Sequence, residues 1–168
     1  MKKLLIICFV IAALLIPAFV FAASCESEEG KDPTPEDIAK FGQVMELFSS
    51  AIGEGSPDCV ETSDPESMPF TITFNDCDFE GIIVNGSVTL SVSGDENQFS
   101  ITFAGTLTMT GTGAPANSVA FNFTLTVTGD YPDYTFAMTG TITIDGTVFK
   151  ASGFMEDFAD VFFYLYNY

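Results

Sequence analysis

The 168-residue sequence contains no histidine, no arginine and no tryptophan, and its basic residues are five lysines. Without histidine, the chain cannot build a Ser-His-Asp or Cys-His catalytic group or a histidine-ligated zinc site. It also has no phosphate-binding loop, no dinucleotide-binding glycine motif and no paired CxxC. We therefore expect a protein that is not an enzyme, and we assign no catalytic residue.

Positive charge is scarce after residue 24. Three lysines (Lys31, Lys40, Lys150) stand against 23 acidic residues there, a net charge of 3 − 23 = −20. Nucleic acids and anionic lipid headgroups bind basic surfaces, so the overall charge argues against both, and we predict no nucleic-acid partner. Most of the acids lie between Glu26 and Glu80 or in predicted turns. The first interpretation of this charge is a solvated tether and solvated loops, and a binding surface is the second.

The N-terminus has the features of an export signal. Met1-Lys2-Lys3 is positively charged, residues 4–21 are apolar, and Ala22-Ala23-Ser24 supplies small residues in front of Cys25. We predict a signal peptide over residues 1–24.

The small-small-Cys ending resembles the cleavage box of bacterial lipoproteins, in which the cysteine becomes the lipid-bearing first residue. The resemblance covers only the signal and Cys25, and Ala22 stands where the family usually has leucine. It implies an exported lipoprotein that is anchored to a membrane through a lipid on Cys25. Glu26, where aspartate would imply inner-membrane retention, implies the outer membrane, facing the periplasm or the cell surface.

Two other interpretations of this segment stay open. Val20-Phe21-Ala22 also fits ordinary signal peptidase, which would end the signal at Ala22 instead of Ser24 and leave Cys25 as a thiol. Alternatively, the run of about 18 apolar residues is long enough to remain as a membrane span.

The number of cysteines favours the lipid. An exported chain loses Cys8 with the signal and keeps Cys25, Cys59 and Cys77, and an odd thiol in an oxidising compartment needs an explanation. A lipid on Cys25 provides one and leaves Cys59 and Cys77 to form a disulfide. Closing a loop of about 18 residues is worth roughly 3 kcal/mol.

We predict an acidic flexible tether over residues 25–35, followed by a single domain over residues 36–168. Thr34 as N-cap, with Asp37 three residues later, predicts a helix over 36–52 that Gly53 ends. A disulfide loop (53–69) and a β-meander (70–168) follow. The helix carries an apolar stripe that should pack on the sheet, formed by Ile38, Phe41, Met45, Phe48 and Ile52.

From Pro69 onward, apolar residues alternate with threonine and serine, the pattern of an antiparallel sheet with one buried face. The fold class is therefore mainly β, with a single antiparallel meander of six or seven strands. We expect a strongly curved sheet or a partly closed barrel with the N-terminal helix packed on it. The predicted strands lie near 70–76, 82–93, 98–110, 118–128, 134–145, 147–154 and 161–167.

The alternation also suggests a register. Asp145-Gly146 predicts a two-residue type I′ turn. Gly86, Gly105 and Gly140 on the apolar face predict bends or a closely approaching element, with Phe121 and Phe123 covering the gaps. The predicted pairs are Val92 with Phe99, Met109 with Val119, Val127 with Tyr134, and Ile142 with Phe149.

One acidic segment has a spacing that suits calcium. Asp76, Asp78 and Glu80, followed by Gly81, match the first half of a calcium loop, although Ser87 stands where a bidentate glutamate belongs. A polar turn held by Cys77 is the favoured interpretation, and a calcium cofactor is the alternative.

These observations favour a non-catalytic cell-envelope lipoprotein with a structural or interaction role, whose partner is an envelope protein. The alternative is a binder of an apolar small molecule between helix and sheet, in a cavity lined by Phe41, Phe48, Phe103, Phe121, Phe123 and Phe136. A second alternative is a small outer-membrane β-barrel, suggested by alternating Phe162, Tyr164, Tyr166 and Tyr168.

Overall fold

The computed structural model describes residues 29–51, 57–64, 68–95, 98–129 and 135–155. These residues form one helix, seven strands and a short 3₁₀ helix, so the predicted mainly β class is confirmed. The elements are α1 (Pro35–Ala51), β1 (Val60–Thr62), β2 (Phe70–Phe79), β3 (Ile82–Gly94), β4 (Gln98–Thr110), β5 (Ser118–Thr128), β6 (Thr135–Ile144), β7 (Thr147–Lys150) and the 3₁₀ helix (Ala151–Phe154).

The seven strands form one antiparallel meander in the order of the chain, β1 to β7. The sheet is open, with β1 and β7 as its edges. One side, which we call the apolar face, packs on α1, and the other carries mostly serine and threonine.

Two elements differ from the sequence prediction. β1 lies in the predicted disulfide loop and is too short to show alternation. β7 ends at Lys150, and a 3₁₀ helix replaces the predicted strand to residue 154. Phe149 and Phe154 are both buried and their rings are 5.9 Å apart. A strand would point residues five apart to opposite faces, so the chain must turn to bury both. The predicted strand 161–167 lies outside the described residues.

Three of the four predicted registers are wrong by two residues. Gly94 pairs with Phe99 and Val92 with Ile101, and the same shift places Leu107 opposite Val119 and Val127 opposite Phe136. An alternating pattern is unchanged by a shift of two, so the turns decide between the registers. The hairpin with the Asp145-Gly146 turn is predicted correctly. Both of its turn residues have positive φ, and Ile142 faces Phe149.

Helix α1 begins at a capping box, as predicted. The Asp37 N–H donates to Thr34 Oγ1 (3.4 Å), and Asp37 Oδ2 accepts from the Thr34 N–H (2.9 Å) and hydroxyl (2.6 Å). The buried side of the helix is wider than the predicted stripe. Ile38 is half-buried and Ile52 lies outside the described residues. The buried residues are Phe41, Val44, Met45, Phe48 and Ala51.

The helix lies across the strands. The ring of Phe41 is 6.2 Å from that of Phe121 on β5, whereas the ring of Phe48 is 6.0 Å from that of Phe74 on β2. A 17-residue helix is about 25 Å long, close to the ~24 Å between β2 and β7. One helix therefore spans nearly the whole width of the sheet.

Each of the three predicted mid-strand glycines faces a phenylalanine. Gly86 is opposite Phe74, Gly105 is opposite Phe121, and Gly140 is opposite Phe123. All three have positive φ, and a Cβ on Gly105 would lie 2.1 Å from the carbonyl oxygen of Ser87. The neighbouring strand therefore approaches the backbone closely. Phe121 and Phe123 face two of the glycines, as predicted, but the two-residue shift of the register exchanges their partners.

Candidate functional site

The predicted disulfide between Cys59 and Cys77 is present, with a Cα–Cα distance of 5.3 Å. Cys59 directly precedes β1, and Cys77 lies on β2 with its side chain fully buried. The bridge joins the segment after the helix to the sheet. Cys25, the predicted lipid-bearing residue, lies outside the described residues.

The acidic segment forms the predicted polar turn. Glu80 and Gly81 both have positive φ and connect Phe79 directly to Ile82, as in a type I′ hairpin. The Gly81 N–H donates to Asp78 Oδ1 (2.7 Å), so this carboxylate holds the turn.

Asp76 has a different partner. It sits at a β-bulge with positive φ, and its N–H donates to Asn85 Oδ1 (2.9 Å) while Asn85 Nδ2 donates to Asp76 Oδ1 (2.8 Å). Asp76 and Asp78 therefore bind different parts of the hairpin. Within the described ranges, no three acidic or cysteine side chains converge as a metal site.

The six phenylalanines of the predicted ligand cavity are all buried on the apolar face. Phe41 and Phe121 pack together beneath the helix, and Phe41 also contacts Phe154, with ring centroids 4.9 Å apart. Phe103 and Phe123 are register partners whose rings stack at 4.7 Å. Phe48 contacts Phe74 on β2, and Phe136 lies opposite Val127 at the far end of the sheet. Ring contacts thus connect four of the six, Phe41, Phe121, Phe123 and Phe103, in one aromatic layer.

The opposite side of β3 to β6, which we call the hydroxyl face, has a composition that the sequence prediction did not use. The register gives it 24 outward positions, of which 17 are serine or threonine and none is charged. The other seven are Ile83, Asn85, Gln98, Ala104, Ala120, Asn122 and Ala137. The chain's charged fraction of 17% would place about four charges there (0.17 × 24).

Neighbouring hydroxyls on this sheet bond to one another across strands. Thr102 and Thr124 are 3.0 Å apart at their Oγ1 atoms, and Ser100 and Thr126 are at the same distance. Such pairs fix the hydroxyl positions without a charged group. Charged residues border the face: Asp78 lies on β2, and Lys150 lies on β7 opposite Thr141.

Two groups have displaced pKa values. The hydrogen bond from the Thr34 hydroxyl, followed by that from the Thr34 N–H, lowers the pKa of Asp37. The hydrogen bond and charge of Glu36, with smaller contributions from Asp37 and Asp145, raise the pKa of Lys40. Both effects belong to the N-terminal end of the helix.

The described residues include no buried polar or charged side chain. In the same part of the chain, no helix has the length and apolar character needed to cross a membrane. No protein-family model, curated protein or solved structure matches this chain significantly.

Proposed function

We propose that this protein is a non-catalytic lipoprotein of the bacterial cell envelope. It is anchored through Cys25 and presents the hydroxyl face to another envelope protein. The observation that carries the proposed interaction is the uncharged composition of that face in a chain with a formal net charge of −18.

Electrostatics supports this use of the face. The acidic turns and edges repel an acidic partner and are strongly hydrated, whereas the hydroxyl face removes no charge from water when it is covered. Protein interfaces are likewise depleted of charged residues at their centre, with charged residues at the rim. Asp78 and Lys150 occupy that rim position on either side.

The size of the face also suits a protein partner. Four strands spaced about 4.8 Å apart and roughly 35 Å long cover on the order of 700 Å². Each partner in a standard protein–protein interface contributes about 800 Å². A single domain could therefore cover the hydroxyl face.

Photo-crosslinking in the host's envelope tests this function. A photoreactive amino acid at Thr124, in the middle of the face, should crosslink to one envelope protein, whereas the same group at Thr62 on β1 should not. Asn122→Asp adds one charge two residues from the probe without changing the side-chain shape, and it should abolish the crosslink. Asn117→Asp, the same change in the exposed loop before β5, is the matched control and should leave it intact.

The crosslinking outcomes separate the possibilities. A Thr124 product that disappears with Asn122→Asp but not with Asn117→Asp supports a protein partner. Equal products from Thr124 and Thr62, or insensitivity to Asn122→Asp, contradicts it. A crosslink to a glycan instead of a protein also contradicts it and assigns the face to a different class of partner.

The alternative function, binding of an apolar small molecule, is supported by the aromatic layer. Phe103 and Phe123 are buried on the apolar face with their rings stacked 4.7 Å apart, and Phe123 also contacts Phe121, which packs against Phe41 of the helix. A ligand between helix and sheet would contact these rings. Native mass spectrometry of protein purified from its host's membranes would detect such a ligand.

Truncation of Phe41 distinguishes a packed core from a ligand site. In a packed core, Phe41→Ala should lower the free energy of unfolding by about 3–5 kcal/mol. If α1 is instead a lid over a ligand, the variant should lose the co-purifying molecule while the ligand-free protein keeps most of its stability. Denaturant unfolding and native mass spectrometry on the same samples separate the two results.

A further inference from the structure

Part of the segment that was predicted to be a flexible tether contacts the sheet. Lys31 lies within the predicted tether, yet it forms a parallel bridge with Phe149 of β7. Its N–H donates to the Val148 carbonyl (3.2 Å), and its carbonyl accepts from the Lys150 N–H (3.0 Å). Lys31 Nζ also lies 4.9 Å from the centroid of the Phe149 ring. Two backbone hydrogen bonds and a cation–π contact thus attach Lys31 to β7.

This attachment limits the reach of the chain from its anchor. Lys31 is six positions after Cys25, and a fully extended chain covers at most about 3.3–3.6 Å per residue, or roughly 20 Å in all. The 13 residues of β4 alone extend about 43 Å. A lipid on Cys25 would therefore hold Lys31 and β7 within roughly 20 Å of the membrane. This distance is shorter than the length of the strands.

All the lysines that follow the signal are found near this edge. Lys150 is bonded to Asp32 (3.1 Å), and Lys40 on α1 is bonded to Glu36 (2.9 Å). The ring of Phe41, the residue after Lys40, lies 4.9 Å from the ring of Phe154 in the 3₁₀ helix that follows β7, so this part of α1 is at the β7 end of the sheet. Lysines and acids are thus interleaved here, whereas the charged residues elsewhere after residue 24 are acidic.

This charge distribution determines which surface of the domain can approach a lipid bilayer. Anionic headgroups repel acidic surfaces and attract lysine within about a Debye length. Val148, one of two large apolar side chains that are strongly exposed among the described residues, adds an apolar contact at this edge. We define the β7 edge as Lys31, Asp32, Lys40, Val148 and Lys150.

We propose that the β7 edge rests on the headgroup region of a lipid bilayer, so that the sheet stands edge-on with β1 pointing away from the membrane. This inference rests on the proposed lipid at Cys25. It leaves the hydroxyl face upright and accessible to a partner alongside the domain.

Single tryptophans test this orientation, because the chain contains none. Val148→Trp places the fluorophore at the β7 edge, and Thr62→Trp places it on β1, about 29 Å away across six strand spacings. Both positions are exposed. The full-length acylated proteins are reconstituted into vesicles of phosphatidylcholine and anionic phosphatidylglycerol that contain a lipid with a short-range quencher on its headgroup.

We expect loss of fluorescence for Val148→Trp and little change for Thr62→Trp. A flexible Gly/Ser insertion after Glu29 should reduce the quenching of Val148→Trp without releasing the protein, because it removes only the length limit. Equal quenching at both positions in protein that floats with the vesicles, or stronger quenching at Thr62→Trp, overturns the orientation alone. If the purified protein carries no lipid on Cys25 and does not float with the vesicles, the proposed anchoring is wrong, and this inference is wrong with it.

Discussion

At the scale of residues, the capping box at the start of α1 is the clearest case of local chemistry setting structure. Thr34 and Asp37 satisfy each other's backbone N–H groups, and the acceptor role of Asp37 lowers its pKa. A group with a lowered folded-state pKa stabilises the fold above its ordinary pKa of 3.8 and loses that contribution as the pH falls through the lowered value.

Thr34→Ala should lower the free energy of unfolding by about 1 kcal/mol at neutral pH, because it removes the N-cap acceptor. The difference from wild type should shrink as the pH falls from 3.8 through the lowered folded-state pKa of Asp37. Denaturant unfolding at several pH values measures this. Asp37→Asn is the control, since it keeps an acceptor but does not titrate. A wild-type to Thr34→Ala difference that stays constant down to pH 2 would refute the coupling.

Gly105 and Gly42 should respond to alanine in opposite ways. At Gly105 the new Cβ would meet the Ser87 carbonyl oxygen at 2.1 Å, so Gly105→Ala should cost about 2–3 kcal/mol or more. At Gly42, within α1, no atom other than the chain neighbours and the helix's own backbone lies within 4 Å of the added Cβ. Gly42→Ala should stabilise the protein by roughly 0.5–1 kcal/mol. Thermal unfolding of both variants checks this, and a tolerated Gly105→Ala would show that the strands can separate.

At the scale of elements, short segments depend on covalent or edge contacts for their position. β1 has three residues and carries one apolar side chain. Its pairing with β2 is supported by the adjacent Cys59–Cys77 bridge, and the Asn75 N–H donates to the Cys59 carbonyl (3.0 Å). We therefore expect β1 to be the element most dependent on the disulfide.

Reduction of the Cys59–Cys77 disulfide should lower the free energy of unfolding by about 3 kcal/mol. The bridge restricts the conformations of the unfolded chain, so its removal increases the entropy of the unfolded state. Hydrogen exchange should show the loss first at β1 and the adjoining part of β2. Cys59→Ala is the control, since a reducing agent should not change its stability. If the reductant leaves the wild-type unfolding midpoint unchanged, the bridge does not contribute as proposed.

At the scale of the whole molecule, charge is separated by surface. The hydroxyl face carries none, the lysines gather near β7, and the acids occupy turns such as Asp78-Phe79-Glu80 and Asp145. Because β1 pairs only with residues 72–74 of β2, Asp76 and Asp78 lie on the part of β2 that β1 leaves uncovered, where acidic side chains discourage pairing with another chain. We infer that this acidic segment serves as a turn and as protection of the uncovered part of β2.

Cys25→Ser should release the protein into the soluble fraction of the envelope, because the single proposed attachment is lost. Fractionation, with the mass of the N-terminal peptide, measures both the location and the lipid. Cys59→Ser is the matched control and should remain bound to the membrane. Retention of Cys25→Ser would instead favour an uncleaved membrane span.

The sequence alone determined the features that depend on near neighbours. Alternation of period two identified the sheet and its two faces, the capping pattern located α1, and Asp145-Gly146 gave the correct register of the last hairpin. The same local signals identified the phenylalanines that form the apolar face. They also gave the Cys59–Cys77 pair, because few cysteines were available.

The tertiary structure decided what depends on distant partners. The observed register of β3 to β6 differs from the predicted one by two residues. A shift of two leaves every side chain on the same face, so the alternation cannot distinguish the two registers, and the turns determine which one forms. The turn at Ala151–Phe154 follows from burying Phe149 and Phe154 together. The bridge from Lys31 to β7 joins residues far apart in sequence, so no local pattern could predict it. Local alternation identified the serine and threonine side of each strand, and the pairing of β3 to β6 assembles these sides into one uncharged hydroxyl face.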